Sequence, residues 1–173
     1  MDIKKLIRDV PDFPMKGIIF KDITTLLKDN EGYKVTLEKL YNLSKNKEIT
    51  KVIGVESRGF IFGGALADKL DAGFVPIRKP GKLPAETLQE EYTLEYGKDS
   101  IEIHKDAINE NDVVLLHDDL LATGGTMTAA CKLVEKMGAR IAQISFIIEL
   151  DFLNGRELLK NYDVQSVIHY DGE

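Results

Sequence analysis

The stretch Val113-Val-Leu-Leu-His-Asp-Asp-Leu-Leu-Ala-Thr-Gly-Gly-Thr126 decides the fold. Its uninterrupted apolar run, residues 113–116, is typical of a strand that is covered on both faces of a parallel sheet. Two adjacent carboxylates follow this run, then a turn with a glycine pair, and a helix is predicted to begin near Thr126. Ligands of open α/β sheets bind at the carboxyl ends of the strands. The order of these residues therefore predicts a parallel α/β sheet with a binding site at the end of this strand.

The polar residues of the stretch predict a site for a sugar phosphate. Ionised aspartates accept hydrogen bonds only, so an adjacent pair suits the two neighbouring hydroxyls of a ribose. The same carboxylates would repel a phosphate, which is therefore expected on the N–H groups of the turn and of the helix start. A Walker loop and a dinucleotide fingerprint do not fit, because their glycine and lysine spacings are absent. The residues assigned to ribose 5-phosphate are Asp118, Asp119, Ala122, Thr123, Gly124, Gly125 and Thr126.

Strand and helix patterns alternate along the rest of the chain, which predicts a parallel-centred twisted sheet flanked by helices. Residues 92–96 and 100–104 alternate in polarity around Gly97-Lys-Asp, which predicts an antiparallel hairpin standing off the main sheet. Residues 2–10 are predicted to form a short helix closed by Pro11, and Asn154 to cap another that ends near Tyr162. The remaining predicted strands are residues 51–55, 74–77, 141–150 and 164–168, and the remaining predicted helices are residues 32–45, 60–70 and 126–138.

Composition limits the classes of function. A length of 173 residues is that of a single domain. A net charge of −6 argues against nucleic acid as the main partner. The lone Cys131 cannot form an internal disulfide, so we expect a reducing cytoplasm, and we expect this thiol to be a small buried hydrophobe. Met1-Asp-Ile-Lys-Lys does not begin a signal peptide, and no apolar run has the length of a membrane span.

Several segments resemble one family in the same order along the chain. Residues 113–126 resemble the phosphoribosylpyrophosphate motif of the type I phosphoribosyltransferases, and in particular of the members that act on adenine. Asp12-Phe-Pro-Met-Lys-Gly-Ile-Ile-Phe-Lys-Asp-Ile-Thr24 resembles their amino-terminal hood, and Glu56-Ser-Arg-Gly-Phe60 resembles their pyrophosphate loop. Arg78-Lys-Pro-Gly-Lys-Leu-Pro84 and Tyr92-Thr-Leu-Glu-Tyr-Gly97 resemble the two sides of their mobile loop. The resemblance implies one phosphoribosyltransferase domain over residues 1–173, with a hood at about 1–32 and a flexible hairpin lid at about 80–104.

The resemblance also implies a pyrophosphate site. Arg58 lies where a helix is predicted to begin, and a cation is disfavoured there by the helix dipole unless it serves a ligand. The plain alternative is a surface arginine. In the family, an arginine at the position of Arg78 reaches the neighbouring subunit's pyrophosphate, which implies a homodimer. Mg²⁺ is expected to be held through substrate oxygens and water, with no direct protein ligand. The residues assigned to pyrophosphate are Glu56, Ser57, Arg58, Arg78 and Lys79.

The catalytic group is expected to include Arg58 together with two residues of the lid, Glu95 and Tyr96. Glu95 is the candidate for proton transfer, and its plain alternative is a glutamate that faces solvent. The adenine site is assigned to Ile19, Phe20 and Lys21, through main-chain groups and the Phe20 ring, which is equally compatible with a core position.

Three residues depart from the family pattern. Lys21 replaces a frequent arginine, Thr25 a frequent proline, and His117 a usual apolar residue. We expect His117 to be partly buried with its hydrogen bonds satisfied, although it could also couple the ribose site to pH.

The expected activity is formation of AMP and pyrophosphate from adenine and 5-phosphoribosyl-1-pyrophosphate. Two alternatives stay open from the sequence. One is a transferase of the same fold for hypoxanthine, guanine or xanthine. The other is a non-catalytic regulator that senses phosphoribosylpyrophosphate.

Overall fold

The computed structural model describes residues 1–93 and 97–172. Its strands are β1 (Arg8–Pro11), β2 (Ile19–Asp22), β3 (Lys51–Val55), β4 (Gly73–Ile77), β5 (Thr87–Thr93), β6 (Lys98–His104), β7 (Val113–Leu121), β8 (Arg140–Leu150) and β9 (Val164–Tyr170). Its α-helices are α1 (Thr24–Leu27), α2 (Asn30–Ser44), α3 (Gly59–Lys69) and α4 (Gly125–Lys136), and short 3₁₀ helices cover Ile3–Leu6, Asp151–Leu153 and Gly155–Leu159.

Five of these strands form a parallel sheet in the order β4-β3-β7-β8-β9, as the alternation of strand and helix patterns predicts. Helices α2 and α3 cover one face, where Leu115 and Ile147 are buried. Helix α4 and strand β6 cover the other face, where Leu116 and Phe146 are buried. The central strands are apolar on both faces because both faces are covered.

The register of the sheet sets the position of the site. Gly54 of β3 lies beside His117 of β7, and Asp118 of β7 lies beside Phe146 of β8. Because these strands are parallel, the turns that follow β3 and β7 meet at the same edge of the sheet.

The amino-terminal segment differs from the predicted helix over residues 2–10. Only Ile3–Leu6 is helical, as one 3₁₀ turn, and Arg8–Pro11 is a strand that pairs with β2. A short isolated helix is marginal in water, whereas β2 supplies an antiparallel partner for the backbone of β1. The hood therefore contains a two-stranded antiparallel ribbon, β1 and β2, which precedes α1 along the chain.

The hairpin is confirmed, but it begins earlier than predicted. Strands β5 and β6 pair from Thr87 with His104 to Thr93 with Lys98. Ile101 and Ile103 are buried in the core, so the base of this hairpin is part of the packed structure and does not stand off the sheet.

Two further boundaries differ from the predicted ones: the end of β7 and the helix that follows Asn154. Strand β7 continues beyond residue 116 to Leu121, because β8 runs beside it as far as Glu149. Asn154 adopts a left-handed conformation with φ of 54° and makes no side-chain cap, and the 3₁₀ helix after it ends at Leu159.

Cys131 is a residue of α4 and is buried, as predicted. Burial raises the pKa of its thiol to about 12, so the side chain is unreactive and packs as a small apolar group. Within the described ranges, no helix is both long and apolar enough to cross a membrane.

Candidate active site

The turn after β7 forms a small depression of about 90 Å³ at the carboxyl edge of the sheet. Gly124 has φ of 87°, a conformation that favours glycine, and α4 begins at Gly125. The first N–H groups of a helix have no partner within the helix and lie at the positive end of its dipole. This local geometry is the one that the sequence predicts for phosphate binding. The depression is lined by Asp118, Leu120, Leu121, Ala122, Thr123, Gly124, Gly125, Thr126, Met127 and Phe146.

The two adjacent aspartates have different partners. Asp119 is buried, and one of its oxygens accepts a hydrogen bond from Arg58 Nε at 2.5 Å. Asp118 lines the depression, and its Oδ1 accepts a hydrogen bond from the Asp119 N–H at 2.8 Å. Both side chains therefore lie at the predicted ribose site, but only Asp119 is paired with a cation in this arrangement.

The surroundings of Asp118 alter its affinity for a proton. Burial raises the pKa of Asp118 well above its usual value, and the charge of Asp119 raises this pKa further. Asp118 therefore holds its proton to a higher pH than an exposed aspartate does.

Arg58 joins the sheet edge to the hood. It lies between the end of β3 and the first residue of α3, where the sequence predicts the pyrophosphate loop. Its guanidinium carbon lies 5.0 Å from the centre of the Phe20 ring, while its Nε binds Asp119. The peptide bond between Glu56 and Ser57 in the same loop is cis. The structure therefore brings the hood, the acid pair and this loop together around one arginine.

Glu56 organises the cationic segment after β4. Its Oε2 accepts hydrogen bonds from the Lys79 N–H at 2.8 Å and from Arg78 Nε at 3.3 Å, and its Oε1 contacts Lys82 Nζ. Burial alone would raise the pKa of Glu56, but its hydrogen bonds to Lys82 and to the Lys79 N–H hold this pKa below the usual value. The carboxylate thus collects cations at the edge that the sequence assigns to pyrophosphate. The contact with Lys82 was not predicted from the sequence.

Lys79 links the same segment to the hairpin. Its Nζ contacts Asp99 of β6 and lies 2.7 Å from the hydroxyl oxygen of Tyr92 on β5. That Tyr92 hydroxyl also bonds Asp99 at 3.0 Å. The sequence carries no local signal for this group, because its members are 7 to 20 positions apart. Glu95 and Tyr96, the predicted lid residues, lie outside the described residues.

The hood residues assigned to adenine do not all face the same way. Phe20 is partly buried, faces Arg58 and makes an edge contact with Phe13 at 5.2 Å between ring centres. Lys21 is buried, binds Asp9 Oδ1 at 2.8 Å and lies 4.3 Å from the centre of the Tyr170 ring. Its ammonium group is therefore used within the protein, which leaves the main chain of Ile19 and Lys21 and the Phe20 ring for a base.

Two departures from the family pattern now have structural explanations. The Thr25 hydroxyl donates a hydrogen bond of 2.6 Å to Leu6 O and so ties α1 to the first 3₁₀ turn. His117 is fully buried, not partly buried; its Nδ1 lies 2.9 Å from Ser145 Oγ, and its Nε2 has no partner among the described residues. Burial lowers the pKa of His117 to about 4, so the ring is neutral near pH 7.

A wider groove of about 510 Å³ lies on the hood. It contains none of the predicted site residues, and its lining comes from the amino-terminal segment and α1 rather than from the turns after β3 and β7. The smaller depression is the stronger ligand site because it combines a helix start with the carboxyl end of a strand. The groove is lined by Lys5, Leu6, Ile7, Arg8, Thr25, Lys28 and Asp29.

The fit to a divalent cation follows from the oxygen atoms present. Asp118 lines the depression at the phosphate turn, and the neighbouring Asp119 is paired with Arg58. Carboxylate oxygens are a ligand type that a hard divalent cation accepts, so these residues are compatible with Mg²⁺, which would keep most of its water and substrate ligands.

Comparison with known proteins agrees with this geometry. A family model described as phosphoribosyl transferase domain matches residues 23–170. An adenine phosphoribosyltransferase of Bacteroides fragilis is 60% identical over 167 residues, which are 95% of this chain and 94% of the relative.

Solved structures agree as well. The crystal structure of adenine phosphoribosyltransferase from Thermoanaerobacter pseudethanolicus has a TM-score of 0.95 and 53% identity, with 98% of each chain covered. The Saccharomyces cerevisiae enzyme, crystallised with an iminoaltritol bisphosphate and adenine, has a TM-score of 0.92 and 38% identity, with 96% of each chain covered. The chain belongs to the type I phosphoribosyltransferase family.

Proposed function

We propose that the protein is a purine-salvage transferase that forms AMP and pyrophosphate from adenine and 5-phosphoribosyl-1-pyrophosphate. The observation that carries this proposal is the position of Arg58, which binds Asp119 and also lies against Phe20. A sugar-phosphate turn, an acid pair and an aromatic ring thereby meet at one edge of the sheet. Relatives named adenine phosphoribosyltransferase, at 60% identity over nearly the whole chain, support the choice of base.

The phosphate turn and the acid pair bind the ribose 5-phosphate. Backbone N–H groups of the turn and the start of α4 hold the phosphate, and the hydroxyls of Thr123 and Thr126 add donors. Asp118 and Asp119 accept hydrogen bonds from the ribose hydroxyls. Asp119 is held in place by Arg58, so the sugar meets a carboxylate whose orientation is already set.

The cationic segment binds the pyrophosphate. Arg58 and Lys79, together with Arg78 from the neighbouring subunit, neutralise the charge that builds on the departing oxygens, and N–H groups near Ser57 add donors. Glu56 gathers Arg78 and the Lys79 main chain at this edge. Mg²⁺, held through substrate oxygens and water, would supply further positive charge against the departing oxygens.

The reaction is a displacement at the anomeric carbon. A lone pair on adenine N9 forms the new bond to carbon, the bond from carbon to the pyrophosphate oxygen breaks, and its electron pair leaves with pyrophosphate. The proton of N9 goes to Glu95, which the lid brings to the base together with Tyr96. No covalent enzyme intermediate is required.

The adenine ring stacks on Phe20 and binds main-chain groups of Ile19 and Lys21. Because the guanidinium of Arg58 lies over the Phe20 ring, a base that enters this space displaces Arg58 from the ring.

A homodimer completes this proposal. Ile61 of α3 and Phe74 of β4 are 40% and 38% exposed, and Phe74 makes an edge contact with Phe60. Strand β4 is also one of the two outermost strands of the main sheet. An apolar patch of this kind favours association with a second subunit, across which Arg78 acts. The unreactive thiol of Cys131 is compatible with a cytoplasmic enzyme.

An assay with each purine base tests the function. Adenine is expected to release pyrophosphate in a Mg²⁺-dependent manner, while hypoxanthine, guanine and xanthine release little. Success with a 6-oxopurine but not with adenine would move the assignment to that class of transferase. Binding of phosphoribosylpyrophosphate without turnover on any base would indicate a regulator.

The lid assignment needs its own variants. Glu95→Gln and Tyr96→Phe are expected to lower kcat, and Glu95→Gln by the larger factor, because it removes the proton acceptor. Near-normal turnover of both variants would contradict the role of the lid in catalysis.

A further inference from the structure

The segment after β8 lies against the phosphate turn. A Cβ atom added to Gly155 would lie 2.2 Å from Ala122 O and 3.0 Å from the carbonyl carbon of Thr123. A Cβ atom added to Gly124 would in turn lie 2.6 Å from Gly155 O. The two backbones are therefore in contact at a pair of glycines, where no larger residue fits without movement.

This contact fixes the direction of a peptide group in the turn. A Cβ on Gly155 would be 2.2 Å from the oxygen of Ala122 but 3.1 Å from its carbonyl carbon, so this carbonyl points at Gly155. In a trans peptide the carbonyl oxygen and the next N–H point in opposite directions. The Thr123 N–H therefore points away from Gly155.

An ion pair holds this segment in place. Arg156 binds both carboxylate oxygens of Glu149, with Nε to Oε1 at 2.8 Å and Nη2 to Oε2 at 2.5 Å. The same side chain donates from Nη1 to Val164 O at 2.8 Å, and Ser166 Oγ donates to Glu149 Oε2 at 2.5 Å. The Glu149 side chain is only 4% exposed. Arg156 is thus joined to β8 and to β9 directly beside Gly155.

A cation site is the competing explanation for this cluster. One ligand atom each from Glu149, Asp151 and His169 lies within 4.8 Å of the other two. Both oxygens of Glu149, however, are already bound by Arg156, and one of them also by Ser166. A permanent positive charge in this position opposes a metal ion and favours a structural ion pair.

We propose that Glu149, Gly155 and Arg156 are positioning residues for the sugar phosphate: they press residues 151–156 against the carbonyl side of the phosphate turn, and so aim its N–H groups at the 5-phosphate. The proposal rests on the proposed function, in which this turn holds that phosphate. The proposal predicts that the affinity for the 5-phosphate end of phosphoribosylpyrophosphate depends on residues that do not contact this substrate.

The test measures separately the affinities for ribose 5-phosphate and for pyrophosphate, which correspond to the two ends of phosphoribosylpyrophosphate. Calorimetry is run with ribose 5-phosphate and with pyrophosphate on the full chain and on Gly155→Ala, Arg156→Lys and Glu149→Gln. Gly155→Ala is expected to weaken ribose 5-phosphate binding about tenfold or more and to raise KM for phosphoribosylpyrophosphate, while pyrophosphate affinity and KM for adenine stay unchanged. Arg156→Lys, which keeps the charge but loses the double hydrogen bond, is expected to show a smaller loss of the same kind.

Gly73→Ala is the matched control, because the close atoms at Gly73 belong to the flexible side chain of Lys51 at the opposite edge of the sheet. Equal loss of affinity for both ligands, or unchanged ribose 5-phosphate affinity in Gly155→Ala and Arg156→Lys, would overturn the proposal. If Gly155→Ala does not fold, Arg156→Lys and Glu149→Gln decide by the same comparison.

The cation explanation has a separate outcome. Loss of ribose 5-phosphate affinity in the unaltered protein after EDTA treatment, with recovery on addition of Zn²⁺, would replace the ion pair by a metal site. Failure of the unaltered protein to bind ribose 5-phosphate at all would instead count against the proposed function.

Discussion

The phosphate turn and the proposed pyrophosphate region both lie at the carboxyl ends of the strands, but they differ in the groups that they offer to a ligand. The turn consists of backbone held by β7, α4 and a contact between two glycines. The pyrophosphate region consists of long cationic side chains whose partners are carboxylates of the protein, Glu56 and Asp99. A site made of backbone is ready for its ligand, whereas a site made of paired side chains must exchange partners when the ligand arrives.

This difference has an electrostatic reason. Backbone N–H groups at a helix start carry only partial charges, so they can remain unpaired without a counter-ion. The full charges of Arg78 and Lys79 are stabilised by nearby carboxylates, which pyrophosphate would replace in the proposed function. Such an exchange would lower the net affinity for pyrophosphate and so favour its release as a product.

The largest effect is expected at Arg58, the residue shared by the two regions. Arg58→Met removes the cation that faces pyrophosphate and leaves the buried carboxylate of Asp119 without its partner. We expect kcat/KM to fall by roughly 100- to 1,000-fold, measured as pyrophosphate release. Arg58→Lys should recover part of this loss. Arg140→Met, at the amino end of β8 on the opposite edge, serves as the control.

Gly124→Ala tests whether the turn works through its backbone. The residue has φ of 87°, and its added Cβ would meet Gly155 O at 2.6 Å, so the turn has to shift. We expect KM for phosphoribosylpyrophosphate to rise by roughly 10- to 100-fold. Gly138→Ala is matched in conformation, with φ of 83° and no contact closer than 3.5 Å, and should leave this KM unchanged. An equal rise in both variants would show that strain alone explains the effect.

His117 lies in β7 directly before the acid pair, and its burial predicts that the stability of the protein depends on pH. Its pKa is about 4 in the folded protein against 6.5 for an exposed histidine, so the unfolded chain binds more protons between these values. The free energy of unfolding should fall as the pH drops from about 6.5 to about 4, by roughly 3 kcal/mol from this residue. Denaturant titrations of His117→Val should lack this share of the pH dependence.

Turnover near neutral pH should not depend on the protonation of His117, because the pKa of its ring is about 4 in the folded protein. Profiles of kcat from pH 6.5 to 8.5 for the unaltered protein and for His117→Val are expected to have the same shape. A shift of the profile in the variant would mean that His117 couples the ribose site to pH after all.

The smallest effect is expected at Asp99, on the side of the site made of paired charges. Asp99→Asn removes the carboxylate that competes with pyrophosphate for Lys79. Pyrophosphate affinity, measured as product inhibition, should increase about two- to fivefold, because a partly exposed ion pair contributes little. Glu86→Gln breaks an exposed pair with Lys105 near the base of the same hairpin and should change nothing. Weaker pyrophosphate binding in Asp99→Asn would indicate that Asp99 orients Lys79 instead of competing for it.

Local sequence was sufficient for some elements and insufficient for others. Residues 51–55 and the helix after Gly124 were predictable because period and glycine position act over a few neighbouring residues. The segment Arg8–Pro11 was not, since it is a strand only because β2 pairs with it. The end of β7 was likewise set by β8, a strand that begins almost 20 positions later.

The sequence by itself determined the parallel α/β sheet and the order of strand, acid pair and turn, and it predicted which residue types would meet a sugar phosphate. These features rest on apolar periodicity and on backbone freedom, which are properties of neighbouring residues. Only the tertiary structure decided that Arg58 binds Asp119, that Lys21 turns to Tyr170 and that Gly155 rests on Ala122. Contacts between residues so far apart along the chain depend on how the sheet, the hood and the segment after β8 pack together, and no local pattern encodes this.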